Sequence, residues 1–343
     1  MKKRDDFIMH ENFICPAFTV KDGIVDCVNE AAVRRGVNPG DRINSLIAVG
    51  SAEYAAYIDG ILCLTLQIRE TAYTASVSVV DDRQIFCLES DYEKSELRAF
   101  ALAAQELRAP LSNALAQASQ DPGTTKLNRN LHQLLRAVCN MSDAAIYTNP
   151  HCADMQLQNA VWFFREVLDK AKELVQKSGR DLEFKLPAKE LHCYMDKEKV
   201  ERAVYNLISN AIKFSQGNTT VYIDVEHRND RLYFVIKNET NQPAPYASSN
   251  FFNRFIREPG LEDPRNGIGL GMSIVRSVAI MHGGTLLLES KDSSVCVTMT
   301  MDAKTSKGTS LRSPVMLPTD YAGGYDHAIT EMADILSDTL YVE

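Results

Sequence analysis

Several sequence patterns are missing from this 343-residue chain, and each absence excludes a class of protein. Its eight cysteines are scattered singly without a CxxC pair, so no zinc or thioredoxin-type site is predicted. No apolar run approaches the roughly 20 residues of a membrane helix, and the start of the chain lacks an apolar secretory segment. With a net charge of −8 and no block of like charges, the chain is not expected to bind nucleic acid. We therefore expect a reduced, cytoplasmic protein without a membrane span.

What is present predicts an α+β protein of several domains, since the length suffices for two or three small cores. Residues 10–90 form the first predicted domain. Two strands around the turn at Lys21-Asp22-Gly23 come first, followed by short helices, one of them capped by Asn29 and ended by Gly36. Three strand-like runs follow, at 60–68, 73–80 and 83–89. This order, together with the turn, resembles a PAS sensor domain.

Residues 91–150 predict a helical hairpin. Apolar residues alternate spacings of three and four over two stretches, which is typical of a coiled-coil seam. The first seam is Leu97, Phe100, Ala104, Leu107, Leu111, Ala114 and Ala118, and the second is Leu127, Leu131, Leu134, Val138, Met141 and Ala145. Asp121-Pro122-Gly123 separates them. One hairpin leaves its seam half covered, so either a second copy completes a four-helix bundle or the seam packs on the chain's own domains.

Residues 151–302 alternate helix-like and strand-like segments, which predicts a two-layer α/β sandwich. Helices are expected at 159–179, 196–214 and 272–281, and strands at 181–186, 221–226, 232–237, 285–290 and 294–301. The rest of the chain, 303–343, is predicted to be a linker over 305–320 and a helix over 325–340.

Three polar residues share one face of the predicted helix at 196–214. Asn206, Asn210 and Lys213 follow one another at spacings of four and three. Two amides and one ammonium on one stripe suit a magnesium-bound triphosphate, because an amide oxygen can ligate the metal and the lysine can contact a phosphate. The alternative is a helix whose polar face is simply solvated.

A glycine run, with Gly267, Gly269 and Gly271, leads into the helix predicted at 272–281. Backbone N–H groups at such a helix start can face an anion. A lone glycine triplet is weak support for a phosphate site. Here, however, it follows the polar stripe in the same predicted domain and precedes a His282-Gly283-Gly284 sequence.

Taken in order, these segments resemble those of histidine kinases. Residues 204–214 resemble the N box, residues 251–257 the F box that hinges a nucleotide lid, and 266–271 with 282–284 the glycine-rich elements. The resemblance implies an ATP-binding domain of the histidine kinase/GHKL type, with ATP and Mg²⁺ as cofactors and Asn210 as the metal ligand. The nucleotide-binding residues that it implies are Asn206, Asn210, Lys213, Asn238, Gly267, Gly269 and Gly271.

One element departs from the histidine-kinase pattern, and another residue separates the chain from the ATP-hydrolysing proteins that share the same sandwich. In place of the family's Asp-x-Gly-x-Gly loop it has Asn238 followed by Glu-Thr-Asn-Gln; the Asn238 amide oxygen can still accept a hydrogen bond from adenine, but the glycines are missing. In gyrase-like and chaperone relatives, a glutamate precedes the metal-binding Asn by one turn and activates water. Asn206 stands there and cannot act as a general base, so ATP hydrolysis is not expected.

The histidine that accepts phosphate in these kinases is also absent. The sequence reads Gln105-Glu106-Leu-Arg-Ala109-Pro-Leu where the family has His-Glu-Leu-Arg-Thr-Pro-Leu. A glutamine amide is not nucleophilic, so Glu106, the family's proton acceptor at the catalytic position, has nothing to deprotonate. Ala109 replaces the Thr or Asn that positions water for dephosphorylating a response regulator. His132 is read as a partly exposed packing residue of the second helix rather than as a substitute acceptor.

The sequence therefore predicts a two-component signalling protein of the sensor histidine kinase type that binds ATP and Mg²⁺ and acts as a regulatory pseudokinase. The expected partners are a second copy, another histidine kinase in a heterodimer, or a response regulator. One alternative is an active kinase that uses a non-standard acceptor or acts in trans. Another is a scaffold that binds no nucleotide, which the altered loop after Asn238 favours.

Overall fold

The computed structural model describes residues 15–80, 82–89, 91–119, 122–147, 152–217, 219–240, 270–291, 293–304 and 324–341. Along the chain they form an N-terminal α/β unit, a helical hairpin, a second α/β unit and a C-terminal segment at 324–341. In these ranges, no helix combines the length and the apolar character that crossing a bilayer requires.

The N-terminal unit is an antiparallel sheet with short helices. Its elements are β1 (Ala17–Lys21), β2 (Ile24–Val28), α1 (Glu30–Arg35), α2 (Ile43–Leu46), β3 (Ile47–Val49), α3 (Ser51–Ala56), β4 (Ile61–Ile68), β5 (Thr71–Val80) and β6 (Arg83–Leu88). The predicted first hairpin is confirmed, and it turns through Asp22 and Gly23, which have positive φ angles of 53° and 75°. Asn29 caps α1 by accepting a hydrogen bond from the Ala32 N–H at 2.8 Å, and Gly36 ends the helix in the left-handed conformation.

The predicted hairpin is confirmed as α4 (Asp91–Ala118) and α5 (Thr125–Ile146). Its internal contact agrees with the predicted seam in part, since Ala104, Ala118 and Val138 are buried as predicted. Leu115 and Leu135 are fully buried, whereas Leu107 and Leu134 of the predicted seam are 51% and 55% exposed. A straight helix with 3.6 residues per turn drifts relative to a strict seven-residue repeat, so Leu115 and Leu135 are buried instead of the seam residues that directly precede them.

The second α/β unit is the predicted two-layer sandwich, with its helices packed on one face of the sheet. Its elements are β7 (Gln156–Asn159), α6 (Ala160–Lys177), β8 (Leu182–Lys185), β9 (His192–Met195), α7 (Lys197–Phe214), β10 (Val221–Arg228), β11 (Arg231–Glu239), α8 (Gly271–Met281), β12 (Leu286–Lys291) and β13 (Ser294–Asp302). Asn159 and Asp196 cap α6 and α7, each accepting a hydrogen bond from the backbone N–H three residues on. The two-stranded sheet of β7 and β9 was not predicted.

The two α/β units share one sheet. In the described residues it has 11 strands in the order β2-β1-β6-β5-β4-β12-β13-β11-β10-β8, with β3 paired to β4. The sheet junction is the antiparallel pairing of residues 61–63 of β4 with residues 286–288 of β12. Ile61 and Cys63 are completely buried there and belong to the core of the second unit. The sequence did not predict this junction.

The C-terminal segment corrects the prediction of one helix over 325–340. Only α9 (His327–Glu331) is α-helical, and a 3-10 turn covers Asp338–Tyr341. Tertiary contacts interrupt the helix. The Arg129 guanidinium of α5 donates hydrogen bonds to the carbonyl oxygens of Ala333 and Asp334, at 3.1 and 3.3 Å. The apolar spacing in the sequence instead reflects the docking of Met332 and Leu336 into the core. The predicted linker at 305–320 lies outside the described residues.

Candidate functional site

The polar stripe of α7 lies as the sequence predicts, but it is covered. The apolar side of the helix is buried in the sandwich core and consists of Val200, Ala203, Val204, Leu207, Ile208 and Ala211. On the stripe, Asn206 has no exposed surface, Asn210 is partly exposed, and the side chain of Lys213 is 9% exposed. The alternative of a solvated polar face is therefore wrong.

Gly271 brings the start of α8 against this stripe. A Cβ atom on Gly271 would lie 2.7 Å from Asn206 Oδ1 and 3.9 Å from Asn210 Nδ2, so a side chain there would collide with Asn206. The structure thus brings together Asn206, Asn210 and Gly271. Gly267, Gly269 and the F-box segment at 251–257 lie outside the described residues.

Asn238 is the last residue of β11 whose side chain faces the core. Alternate residues of this strand, Leu232, Phe234 and Ile236, face the core, and Asn238 continues the series at 7% exposed. Within the part of the chain that the structure describes, its Nδ2 atom has no hydrogen-bond partner. A buried amide with an unused donor is costly unless another group pairs with it. Asn238 can therefore offer both an acceptor and a donor to a planar base.

His282 has a structural role that the sequence did not reveal. Its Nε2 accepts a hydrogen bond from the backbone N–H of Asp196 at 3.0 Å, and its Nδ1 lies 2.8 Å from the Val278 carbonyl oxygen. This pattern requires a neutral ring protonated at Nδ1. Burial lowers the pKa of His282, which favours the same neutral form. His282 thus links the end of α8 to the cap of α7 and fixes the position of the two helices relative to each other.

A buried carboxylate from the C-terminal segment binds Asn206, the first residue of the stripe. Glu331 is fully buried, and its Oε2 accepts a hydrogen bond from Asn206 Nδ2 at 3.0 Å. Its Oε1 accepts from Arg202 Nε at 2.8 Å. Arg136 of α5 donates to Asn206 Oδ1 at 3.2 Å, so both ends of the Asn206 amide are engaged.

A second carboxylate extends this contact along the stripe. Asp334 Oδ2 lies 2.8 Å from Arg136 Nη1 and 3.6 Å from Lys213 Nζ. Asp143 of α5 pairs with Arg202. We call this group the ion network: Arg136, Asp143, Arg202, Lys213, Glu331 and Asp334. Its formal charges balance, with three cations and three anions.

The sequence reasoning missed Arg136, Arg202, Glu331 and Asp334. Charged residues on amphipathic helices usually face solvent, so none of them carries a local signal of burial. The one available hint was Arg202, which lies one helical turn before Asn206 and so extends the same stripe.

The position of the missing acceptor lies on an open surface. Gln105 and Glu106 are both exposed on α4. His132, by contrast, is 8% exposed, which corrects the expectation of a partly exposed residue. Its Nδ1 lies 3.1 Å from Thr330 Oγ1 of the C-terminal segment, and burial lowers its pKa to about 4. His132 is therefore a contact for that segment.

The polar residues of this site are of the chemical types that bind a magnesium-bound nucleotide. Asn210 would hold the metal through its amide oxygen, Lys213 would contact a phosphate, and the N–H groups that begin α8 would face the same anion. Because Gly271 has no side chain, the start of α8 can lie directly against Asn206. In the present conformation, Glu331 and Asp334 engage the residues of this stripe.

The family model described as "Histidine kinase-, DNA gyrase B-, and HSP90-like ATPase" matches residues 195–309. The match begins at the cap of α7 and includes α8 and the strands β10 to β13, which are the elements around the polar stripe. These residues form an ATP-binding domain of the type that this model describes, within an α+β fold. ATP is the ligand that such a domain implies.

Curated sensor kinases resemble a larger part of the chain. Histidine kinase P4 of Formosa agariphila is 26% identical over 59% of this chain and 16% of that protein. Sensor histidine kinase CusS of Escherichia coli strain K12 is 26% identical over 54% of this chain and 41% of that protein. A crystal structure of full-length ShkA in complex with AMPPNP has a TM-score of 0.49 and 18% identity, over 61% of this chain and 47% of that one. The chain thus spans less than half the length of each, and the curated matches support a relationship to two-component sensor kinases.

Proposed function

We propose that this relative of the sensor histidine kinases is a regulatory pseudokinase, which binds ATP and Mg²⁺ at residues 195–309 without phosphorylating itself at the usual helix position. The observation that carries the proposal is Gln105, an exposed amide on α4 in a segment otherwise like that of the kinases. The lone pair of an amide nitrogen is delocalised into the carbonyl, so it cannot attack a γ-phosphoryl group. Glu106 beside it has no proton to remove.

Nucleotide binding is supported by residues from three elements. Asn210 and Lys213 of α7 would meet metal and phosphate, and Gly271 lets the start of α8 lie close to Asn206 and Asn210. Asn238 would read the adenine, its amide oxygen accepting from the amino group and its buried Nδ2 donating to a ring nitrogen. Asn206 in place of a catalytic carboxylate supports binding without hydrolysis.

The hairpin is proposed to pair with a second copy or with another histidine kinase. Leucines that the hairpin does not cover remain on its surface, namely Leu102, Leu107, Leu127 and Leu134, which are 66%, 51%, 50% and 55% exposed. Leu127 and Leu134 are seven residues apart and so share one face of α5, and exposed leucines on a hairpin favour a four-helix bundle. A response regulator docked on that bundle is the other partner that fits this architecture.

The N-terminal unit is proposed to be a PAS-like sensor. Its order of two strands, short helices and antiparallel strands supports the assignment. Because it shares a sheet with the ATP-binding domain, a change in the sensor would reach β12 directly through β4. The hairpin would report the state of both units to a partner.

The proposal is tested by incubating the purified protein with γ-labelled ATP and Mg²⁺ while nucleotide binding is followed in the same samples. We expect binding without label. Asn210→Ala should weaken binding by roughly tenfold or more because it removes the metal ligand. Asn44→Ala, the same change at an exposed position of the N-terminal unit, is the matched control and should bind normally.

An acid-labile, base-stable label that depends on Asn210 would overturn the pseudokinase assignment, and mapping it would identify the acceptor. Absence of binding in every sample would favour the scaffold alternative instead.

A further inference from the structure

We propose that the C-terminal segment is a built-in competitor of the nucleotide, in which Glu331 and Asp334 occupy the polar stripe of α7 in place of a magnesium-bound triphosphate. This inference rests on the proposed nucleotide binding. It adds a regulatory state in which the segment closes the site and a second state in which nucleotide displaces it.

The first observation is the identity of the residues that the segment binds. Glu331 accepts a hydrogen bond from the Asn206 amide, and the Asp334 carboxylate lies 3.6 Å from the ammonium of Lys213. These are two of the three stripe residues predicted for the triphosphate and its metal. Carboxylate and phosphate oxygens accept hydrogen bonds from the same donors, so one group can stand in for the other.

The second observation is charge. Without Glu331 and Asp334, the ion network would hold three cations and the single anion Asp143. A magnesium-bound triphosphate carries a net charge of roughly −2, the same as these two carboxylates. Displacement of the segment by the nucleotide would therefore leave Arg136, Arg202 and Lys213 with a comparable counter-charge.

The third observation is that the segment is anchored along one side of α5. Arg129 binds the Asp338 carboxylate at 2.9 Å, Asn128 donates to the Tyr341 carbonyl oxygen at 3.3 Å, and His132 contacts Thr330. A shift of α5 relative to α7 would therefore disturb the carboxylates on the stripe. The segment thus connects the state of the hairpin to access at the nucleotide site.

The test compares, in the full chain, a carboxylate of the segment with one that lies outside it. Asp334→Asn removes the charge that faces Lys213 and Arg136, at a side chain that is 26% exposed and so tolerates an isosteric change. We expect Mg²⁺–ATP to bind roughly tenfold more tightly than to the unchanged protein, by calorimetric titration. Asp169→Asn, the same change at an exposed position of α6 outside the segment, is the matched control, so its affinity should change less than about twofold.

A second measurement uses the unchanged protein and needs no variant. Backbone amide exchange in residues 324–341 should rise when Mg²⁺–ATP is added, because the displaced segment loses its hydrogen bonds. Exchange in β10 should stay constant and serves as the internal reference.

The outcomes separate the two proposals. If the unchanged protein binds Mg²⁺–ATP, but Asp334→Asn binds it equally and the segment keeps its slow exchange, competition is refuted while nucleotide binding stands. If neither the unchanged protein nor the double variant Glu331→Gln, Asp334→Asn binds nucleotide, the proposed binding function fails and competition fails with it.

Discussion

Two of the contacts between the ATP-binding domain and the other described parts of the chain use different interactions. The sheet junction joins it to the N-terminal unit through backbone pairing of β4 with β12, next to the fully buried Ile61 and Cys63. The ion network joins it to the hairpin through side-chain charges. A backbone ladder with apolar packing has no equivalent substitute in solution, whereas a carboxylate on Arg136 or Lys213 can be exchanged for another anion. The first contact therefore suits a permanent attachment and the second a reversible one.

The largest expected effect tests the ion network at its centre. Arg202→Ala removes the guanidinium that pairs with Glu331 and Asp143 and donates to Asn140 Oδ1 at 2.7 Å. Because Glu331 stays buried with fewer partners, we expect a loss of about 3–5 kcal/mol in the free energy of unfolding. Denaturant titration measures it. The added variant Glu331→Gln should recover part of that loss; a loss below about 1 kcal/mol in the single variant would show that the network is dispensable.

An intermediate effect concerns the docking of the C-terminal segment and its pH dependence. The pKa of His132 is lowered from 6.5 to about 4, first by burial, which outweighs the opposing effect of the Asp326 charge. Between these values the unfolded chain binds a proton that the folded chain does not, so stability rises with pH through this window and is complete above about 6.5. Acidification across it should cost up to about 3 kcal/mol.

His132→Asn is the control for this titration, since it keeps a polar group toward Thr330 and cannot gain the proton. Thermal unfolding at a series of pH values should show a shallower slope in this variant than in the unchanged protein between pH 4 and 6.5. Equal slopes would assign the pH dependence to other groups, His282 among them.

The smallest effect is expected beside the sheet junction. Glu53 of the N-terminal unit accepts a hydrogen bond from Arg231 Nε at 2.9 Å, and the two side chains are 9% and 19% exposed. Glu53→Gln keeps the shape and one acceptor, so we expect a loss of about 1 kcal/mol, because the backbone ladder holds the two units together. A loss as large as that of Arg202→Ala, in the same denaturant titration, would contradict the contrast between the two contacts.

Local features were predictable from the sequence. The caps Asn29 and Asp196 act within three residues of themselves, so their side chains and the apolar periodicity after them were enough to locate α1 and α7. The polar stripe of α7 was likewise set by helical spacing. At Leu115 and Leu135 the buried residue lies one position after the predicted seam residue. The drift of a straight helix is not visible in a short heptad pattern.

Long-range pairings were not predictable. Nothing in residues 61–63 marks them as partners of residues 286–288, since any apolar strand edge could have paired there. The role of Glu331 was hidden for a similar reason. A single acidic residue in an apolar pattern does not show that two arginines from other helices meet it.

The sheet junction also affects how the protein can be divided. In the full chain β4 and β12 cover each other, so neither presents free backbone groups at the boundary between the units. A fragment beginning at residue 152 would uncover the N–H and C=O groups of β12 and remove Ile61 and Cys63 from its core. Unpaired strands of this kind recruit strands of other molecules, so either half expressed alone is expected to self-associate and precipitate, while the intact chain does not expose this pair of strands.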